Sequence, residues 1–303
     1  MALPAKAPLK HISPAAVTIS MSTFTSRTIR ASDGVRLHFQ HWKPEGPSKG
    51  IVVCLHGIQS HAGWYEYSSS RISREGYDVY FLDRRGSGRN GFLRGHADHG
   101  LRLLNDVRQL VRLCRREQKA PAPLSLLGLS WGGKLAAAFA ATYPKLIDSL
   151  ALLSPGLVSH VGPNVWQRFQ LRFARRHDLR HKSVVIPLQD AALFTANLQW
   201  QQFIDNDPLV LRRVTSGLLN SGVDLDRVIA SDHRRITQPT LLMLAGNDAI
   251  VDNAATKKLV AQFESSSLQV INYPEAQHTL EFESNRIHVA DDLLTWLQQS
   301  VAP

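Results

Sequence analysis

The sequence predicts an α/β fold in which a mostly parallel central sheet is flanked by helices and interrupted by one helical insertion. Three observations predict it: short apolar runs alternate with longer helical patterns, this alternation stops for about 80 residues, and it then resumes. Alternation of this kind favours parallel strands joined by helical crossovers. No repeat of fixed period is visible, so a solenoid or a propeller is not expected.

The first part of the chain begins with a predicted hairpin. Residues 24–29 and 35–42 alternate apolar and polar side chains around Asp33-Gly34, a pattern typical of two antiparallel strands. Residues 51–55 are continuously apolar, which predicts a buried parallel strand. The pattern then predicts a strand at 77–82, a helix at 101–116, a strand at 124–127, a helix at 131–143 and a strand at 149–153.

Residues 156–236 break this alternation, because they carry helical spacing and no clear strand. We expect them to form a helical cap over the carboxyl edge of the sheet, where ligands bind in such folds. The alternation resumes with a strand at 240–245, a helix at 254–264, a strand at 268–271 and a helix at 286–298. The predicted organisation is a loose tail at 1–22, a core domain made of 23–155 and 237–303, and the cap at 156–236.

Composition narrows the classes of protein to which the chain can belong. Apolar residues make up 44% of the 303 residues, which excludes a mostly disordered chain. The net charge of +10 raises nucleic acid, an anionic membrane and acidic substrates as partners. Only two cysteines occur, so no disulfide framework is expected, and a reducing, cytoplasmic location is favoured. No apolar run is long enough for a membrane span or a signal peptide, and Met1 and Met21 are both candidate starts.

One motif carries chemistry. Gly128-Leu129-Ser130-Trp131-Gly132 fits G-x-S-x-G and lies directly between a predicted strand and a predicted helix. This is the setting of a nucleophile elbow, in which a sharp turn with little side-chain bulk lifts the serine hydroxyl above the sheet edge. We therefore predict Ser130 as a catalytic nucleophile; the alternative is a plain tight turn.

A serine nucleophile needs a base, and the base needs an orienting carboxylate. Asp248 follows the strand at 240–245, and His278 follows the strand at 268–271, so both belong to the same sheet edge as Ser130. The chain order Ser, Asp, His is the one found with this kind of elbow. Asp252 is the rival acid, but it lies just before a helix, where we expect it to act as a cap.

Two backbone amides are candidates for stabilising the oxyanion of the tetrahedral intermediate. One is the amide of Trp131, the residue after the nucleophile, and the other is the amide of Ile58, in the loop after the strand at 51–55. His56 in the same loop is expected to brace it. This chemistry requires no cofactor and no metal.

These stretches resemble the α/β-hydrolase family, in particular its monoacylglycerol lipase and lysophospholipase branch. The similar segments are His56 to Tyr65, Leu82 to Gly88, Gly128 to Gly132, Gly246 to Asp248, the Asp207-Pro208-Leu209 turn and the region around His278. The resemblance implies a serine ester hydrolase with Ser130, Asp248 and His278 as its triad. Two departures are Glu275, where a glycine is common, and an insertion rich in arginine.

Three other patterns invite different functions. Residues 86–91 match G-x-G-x-x-G, but no helix pattern follows, so we expect a structural turn supported by Asp83. Residues 128–135 nearly match a phosphate loop, but Leu135 replaces the magnesium-binding hydroxyl, and Lys134 is expected to be exposed. The pairs His96/His99 and His177/His181 lack the companions of a metal site and are expected to be solvated.

The insertion also contains an amphipathic pattern. Trp166, Phe169 and Phe173 follow helical spacing, with arginines on an adjacent face. The aromatic face is expected to pack over the site; the alternative is that this helix rests on an anionic lipid surface. Nucleic acid is not expected as a partner, because no recognised module is present.

The sequence as a whole predicts a serine carboxylic-ester hydrolase. The resemblance implies that its substrate is a small, lipid-like ester of the monoacylglycerol or lysophospholipid type, cleaved through an acyl-serine intermediate. Alternatives with the same fold are an arylesterase, thioesterase, peptidase or carbon–carbon bond hydrolase, since the fold does not choose among them. A non-catalytic binding protein is the alternative from another class. A haloalkane dehalogenase is disfavoured because its elbow would carry an aspartate in place of Ser130.

Overall fold

The computed structural model describes residues 24–161, 176–177 and 179–300. Its strands are β1 Phe24–Arg30, β2 Arg36–Trp42, β3 Gly50–Leu55, β4 Tyr77–Leu82, β5 Leu124–Leu129, β6 Ser149–Leu153, β7 Ser183–Val185, β8 Arg213–Thr215, β9 Thr240–Ala245 and β10 Leu268–Tyr273. Its helices are α1 Glu66–Arg74, α2 Gly100–Glu117, α3 Trp131–Thr142, α4 Leu198–Asn206, α5 Ser216–Asp232, α6 Asn253–Val260 and α7 Arg286–Ser300.

Eight strands form the central sheet in the order β1-β2-β4-β3-β5-β6-β9-β10. The first two strands pair antiparallel, with Phe24 opposite Trp42, and β2 pairs antiparallel with β4. The other pairs are parallel. The predicted hairpin and the mostly parallel sheet are therefore confirmed.

The central strands are apolar because they are covered on both faces. Every residue of β3, β4, β5, β6 and β9 is buried, whereas β10 at the sheet edge is largely exposed. Helix α3 owes its place against the sheet to a run of small side chains, Ala136 to Ala138, that are fully buried and let helix and strands approach closely. Helix α1 did not stand out in the sequence, since its serine-rich segment contains few apolar residues.

The segment between β6 and β9 corrects one expectation. Its described residues include the helices α4 and α5, in line with the predicted helical spacing, but also the strands β7 and β8, which pair antiparallel with Ser183 opposite Thr215. Three-residue strands are too short to show a period of two in the sequence, which is why they were missed. Helix α5 packs against α2 and α3. The division into tail, core and cap stays a prediction, and both the tail at 1–22 and the aromatic pattern of Trp166 to Phe173 lie outside the described residues.

Candidate active site

The elbow serine lies at the junction of β5 and α3 in a strained conformation. Its φ is 53° and its ψ is −124°, a region that non-glycine residues rarely adopt. The turn closes because its flanking glycines have no side chain: a Cβ at Gly132 would lie 2.1 Å from Leu55 O, and one at Gly128 would lie 2.6 Å from Gly132 O. The Ser130 amide donates to Leu153 O at 3.0 Å, so strand β6 holds the turn in place.

The structure brings the three residues of the predicted triad together. Ser130 Oγ and His278 Nε2 are 2.8 Å apart, and His278 Nδ1 lies 2.8 Å from Asp248 Oδ2. A carboxylate only accepts, so Nδ1–H donates to Asp248 and leaves Nε2 free to take the serine proton. The other carboxylate oxygen of Asp248 accepts from the amides of Ile250 and Val251 at 2.8 and 2.9 Å. These bonds orient the acid, which has no exposed side-chain surface.

The rival acid has a different task. Asp252 is the N-cap of α6 and accepts from the Ala255 amide at 2.9 Å. Its carboxylate satisfies an amide of the first helical turn that would otherwise lack a partner, as the sequence predicts.

The loop after β3 holds the first candidate oxyanion donor beside the serine. Gly57 and Ile58 line the same pocket as Ser130, and a Cβ at Gly57 would lie 3.2 Å from the Ser130 Cβ. His56 braces this loop: its Nδ1–H donates to Gly57 O at 2.7 Å, and its Nε2 accepts from the Arg84 amide at 2.9 Å. Burial, helped by the charge of Arg84, lowers the pKa of His56 to about 3, so the ring is neutral and keeps this tautomer.

The second candidate donor, the Trp131 amide, belongs to the first turn of α3. Amides of a first helical turn lack intrahelical partners, and the helix dipole adds partial positive charge there. The Ser130 carbonyl accepts from the Gly133 and Gly156 amides at 2.8 and 2.7 Å. These two bonds hold the start of the helix against the loop after β6.

The pocket around Ser130 is small, and more of its lining surface is apolar than polar. Side chains of Trp64, Leu129, Leu153, Phe194 and Leu280 line it. Its volume is about 20 Å³, which is room for about one water molecule. A volume of this size does not hold an acyl chain. Trp64 also belongs to an aromatic cluster, in which the contacting ring centroids are 4.5 to 6.3 Å apart; its other members are Trp200, Phe203 and Phe282.

A carboxylate from the segment between β6 and β9 ties that segment to the loop preceding α1. Asp207 Oδ2 accepts from His61 Nε2 at 2.9 Å and from Trp64 Nε1 at 2.7 Å. Burial opposes its ionisation, but the hydrogen bonds from His61 and Trp64 outweigh burial and lower the pKa of Asp207. The Leu211 amide donates to Gln59 O at 3.0 Å. The sequence marked the Asp207 turn only by its similarity to a family and did not suggest this contact.

A second carboxyl that the sequence did not single out lies behind the histidine loop. Glu281, three residues after His278, is 8% exposed and accepts from the Ser68 amide in the first turn of α1 at 3.0 Å. Burial raises its pKa to about 7. Its apolar neighbours Leu280 and Phe282 are the one local sign that this segment is buried.

The patterns that suggested other functions have structural explanations. Asp83 accepts from His38 and from the Ala62 and Arg89 amides, which holds the turn after β4. Lys134 was expected to be exposed, but its side chain is only 14% exposed and pairs with Asp226 at 2.7 Å.

One of the four histidines expected to be solvated is buried, whereas His99, His177 and His181 are exposed. His96, expected to be solvated, is 2% exposed. Its ring stacks on His181, with ring centroids 4.3 Å apart, and bonds to Thr215. Among the described residues there is no group of three or more metal-ligating side chains, and no helix in that part of the chain is long and apolar enough to cross a bilayer.

Comparison with known proteins agrees with the family resemblance. A family model described as "Serine aminopeptidase, S33" matches residues 46–285. Monoacylglycerol lipase from Mycolicibacterium smegmatis is 26% identical over 279 residues, which are 91% of this chain and 98% of that protein. Human monoglyceride lipase is 25% identical over 278 residues, 89% of each chain.

The fold is shared with solved structures. A soluble variant of monoglyceride lipase from Saccharomyces cerevisiae, in complex with a substrate analogue, superposes with a TM-score of 0.80 at 18% identity, covering 96% of this chain and 99% of that one. At 18% identity, this similarity shows that the two chains share a fold. Because the family model spans most of the chain, the protein belongs to the serine aminopeptidase S33 family of α/β-hydrolases.

Proposed function

We propose that the protein is a serine carboxylic-ester hydrolase that cleaves monoacylglycerol or lysophospholipid-type esters. The observation that carries this proposal is the unbroken chain of hydrogen bonds from Asp248 through His278 to Ser130, which ends at an apolar pocket. Relatives named monoacylglycerol lipase and monoglyceride lipase, aligned over nearly the whole chain, support the substrate class.

In the proposed mechanism His278 takes the hydroxyl proton of Ser130 as Oγ attacks the ester carbonyl carbon. The carbonyl oxygen becomes an oxyanion stabilised by the Ile58 and Trp131 amides, a contribution of about 3 kcal/mol per donor. The C–O bond to the alcohol then breaks, and His278 returns the proton to the leaving alcohol. Water, activated by the same histidine, hydrolyses the acyl-serine. Asp248 orients the imidazole and stabilises its cation throughout.

The direct test compares Ser130→Ala with Ser125→Ala. Ser125 is a matched control because it is buried in β5, the strand that leads into the elbow, and its hydroxyl accepts from Ser149 Oγ at 2.8 Å, away from the triad. We expect Ser130→Ala to fold, to lose ester turnover and to lose labelling by a fluorophosphonate, while Ser125→Ala keeps both. Turnover retained by Ser130→Ala would reject the nucleophile, and a wild-type protein without labelling would indicate a binding protein.

Substrate class requires a separate panel. Monoacylglycerols and lysophospholipids of graded acyl length should be hydrolysed faster than thioesters or aryl esters. Aminoacyl nitroanilides are included because the family is described as a serine aminopeptidase. Preference for a nitroanilide over every ester would replace the lipase proposal with a peptidase.

We also propose peripheral contact with an anionic membrane. The loop after β4, on the same sheet edge as Ser130, displays Phe92 and Leu93, which are 64% and 44% exposed. Arg89 in this loop is exposed, and Arg94 ties the loop to Leu209 O at 2.7 Å. Exposed apolar tips beside basic side chains favour an interface with anionic lipid. A cytoplasmic location stays a prediction; both cysteines are free and buried.

Liposome cosedimentation tests this contact. Binding should rise with anionic lipid, fall with salt, and weaken when Phe92 and Leu93 are both replaced by serine. Ile287→Ser is the control, because Ile287 is 51% exposed on α7. The proposed surface would be contradicted if binding did not depend on lipid charge, or if Ile287→Ser weakened binding as much as the double replacement.

A further inference from the structure

Arg84 is a buried cation that forms no ion pair within the part of the chain that the structure describes. Its side chain lies under the candidate oxyanion loop and the residue is 3% exposed. No described carboxylate forms an ion pair with it, whereas its neighbour Arg85 pairs with Asp33 and Asp106 at 2.9 and 2.8 Å. Burying a charge is unfavourable unless its surroundings compensate for it. The contacts of Arg84 therefore need an explanation.

The guanidinium of Arg84 touches both residues whose amides are the candidate oxyanion donors. Nη2 donates to Ile58 O at 2.9 Å, and the guanidinium carbon lies 5.0 Å from the centre of a Trp131 ring. Nη1 makes one long bond, to Arg85 O at 3.4 Å, and the buried Nε has no hydrogen-bond partner among the described residues. The cation is thus held by a carbonyl and an aromatic face, neither of which neutralises it.

The backbone of Arg84 acts on the same loop through His56. The Arg84 amide donates to His56 Nε2, which leaves Nδ1–H to donate to Gly57 O. Gly57 O and the Ile58 N–H belong to one planar peptide unit, so fixing the oxygen fixes the direction of the N–H. The guanidinium bond to Ile58 O fixes the next peptide unit.

We propose that Arg84 is a positioning residue of the oxyanion hole, which locks Ile58 against Trp131 and places a fixed positive charge behind the developing oxyanion. The inference rests on the proposed serine-hydrolase function. Its effect is specific to the tetrahedral state, because negative charge appears on the carbonyl oxygen only when Ser130 Oγ bonds to the carbonyl carbon. Preorganised charge of this kind lowers the barrier without strengthening substrate binding. Burial lowers the pKa of Arg84 to about 10, so the side chain stays cationic at neutral pH.

The test uses two inhibitors of the same shape. An octyl trifluoromethyl ketone is attacked by Ser130, which passes its proton to His278 and leaves an oxyanion in the hole; the corresponding trifluoromethyl carbinol has no carbonyl and stays intact. We expect Arg84→Met to lower kcat on p-nitrophenyl butyrate by about 10- to 100-fold, with KM nearly unchanged. Affinity for the ketone should fall by a similar factor, and affinity for the carbinol should not change.

Two further variants complete the design. Arg84→Lys keeps the charge and should recover part of the lost kcat and of the ketone affinity. Arg85→Met breaks the neighbouring ion pairs, so it should lower the melting temperature and leave the ketone-to-carbinol affinity ratio as in wild type. If Arg84→Met does not fold, Arg84→Gln is measured in the same way.

The outcomes separate the two proposals. A folded Arg84→Met or Arg84→Gln with an unchanged ketone-to-carbinol ratio would overturn the role of Arg84, and so would an equal loss of affinity for both inhibitors. A wild-type protein that neither hydrolyses the ester nor binds the ketone more tightly than the carbinol would overturn the hydrolase proposal itself.

Discussion

A single methyl group added at Gly132 tests how the elbow and the oxyanion loop depend on each other. The Cβ of Gly132→Ala would lie 2.1 Å from Leu55 O and 2.6 Å from His56 O, both of them backbone atoms at the start of the oxyanion loop. Ordinary contact begins at 3.4 Å, so α3 and the end of β3 must separate by more than 1 Å.

That separation determines the expected magnitude. It moves the Ile58 amide relative to Ser130, and a misplacement of about 1 Å costs about 100-fold in rate. Overpacking of a well-filled interior costs about 1–3 kcal/mol of stability, equivalent to a fall in melting temperature of roughly 5 °C for a domain of this size. The loss of activity should therefore remain at temperatures where the variant is folded.

The assay is kcat/KM on p-nitrophenyl butyrate at 25 °C, together with a thermal melt. Gly222→Ala is the control, since the same methyl group in helix α5 would lie 3.5 Å from Trp131 Nε1, an ordinary contact, and alanine stabilises a helix interior by up to about 1 kcal/mol. Activity of Gly132→Ala within twofold of wild type, at an unchanged melting temperature, would refute the reasoning.

Three further predictions follow from the contacts of carboxyl groups. Asp248→Asn should fold but lower kcat by about 10⁴-fold, because an amide no longer holds the productive imidazole tautomer; steady-state kinetics with circular dichroism checks this, and a loss below tenfold would contradict it. Asp207→Asn should cost about 1–3 kcal/mol in urea unfolding, because it weakens the buried bonds from His61 and Trp64, whereas the exposed Asp205→Asn should cost little. Glu281→Gln tests linkage: the pKa of about 7 lies above the unfolded value, so the native state binds more protons between about pH 4.5 and 7. As pH rises through that window, the free energy of unfolding of the wild type should fall by up to about 3 kcal/mol relative to that of the variant. Urea unfolding at pH 5 and pH 8 measures this, and an equal change in the two proteins would rule out the linkage.

Much of the fold could be predicted because its signals are local. The apolar run at 51–55 and the alternation around Asp33-Gly34 span a few residues each, and both became the predicted strands. Three elements were not predicted. Strands β7 and β8 are too short to show a period of two, and the segment of α1 contains few apolar residues.

The candidate triad could be located for a related reason. Ser130, Asp248 and His278 each follow a recognisable strand, and parallel strands end at the same edge of a sheet. The predicted strands alone were therefore enough to expect that these three residues come together. Their catalytic roles remain the proposal that Ser130→Ala and Asp248→Asn test.

The contacts that support the site could not be found in this way. Asp207 meets His61 across 146 residues, and Glu281 meets Ser68 across 213, separations over which no local pattern carries information. Arg84 lies in the turn after β4, whose sequence shows no sign that the side chain is buried, and only the contacts of its guanidinium with Ile58 and Trp131 reveal a buried cation.

The sequence by itself determined the alternation of strands and helices, the sharp serine turn and the edge of the sheet where the chemistry belongs, because the missing side chains of glycines and the hydrophobic periodicity act between near neighbours. The tertiary structure decided which carboxyl groups are buried, which loop each one holds, and how small the pocket is. Those features arise from burial and from hydrogen bonds between distant segments, whose geometry exists only once the chain has packed.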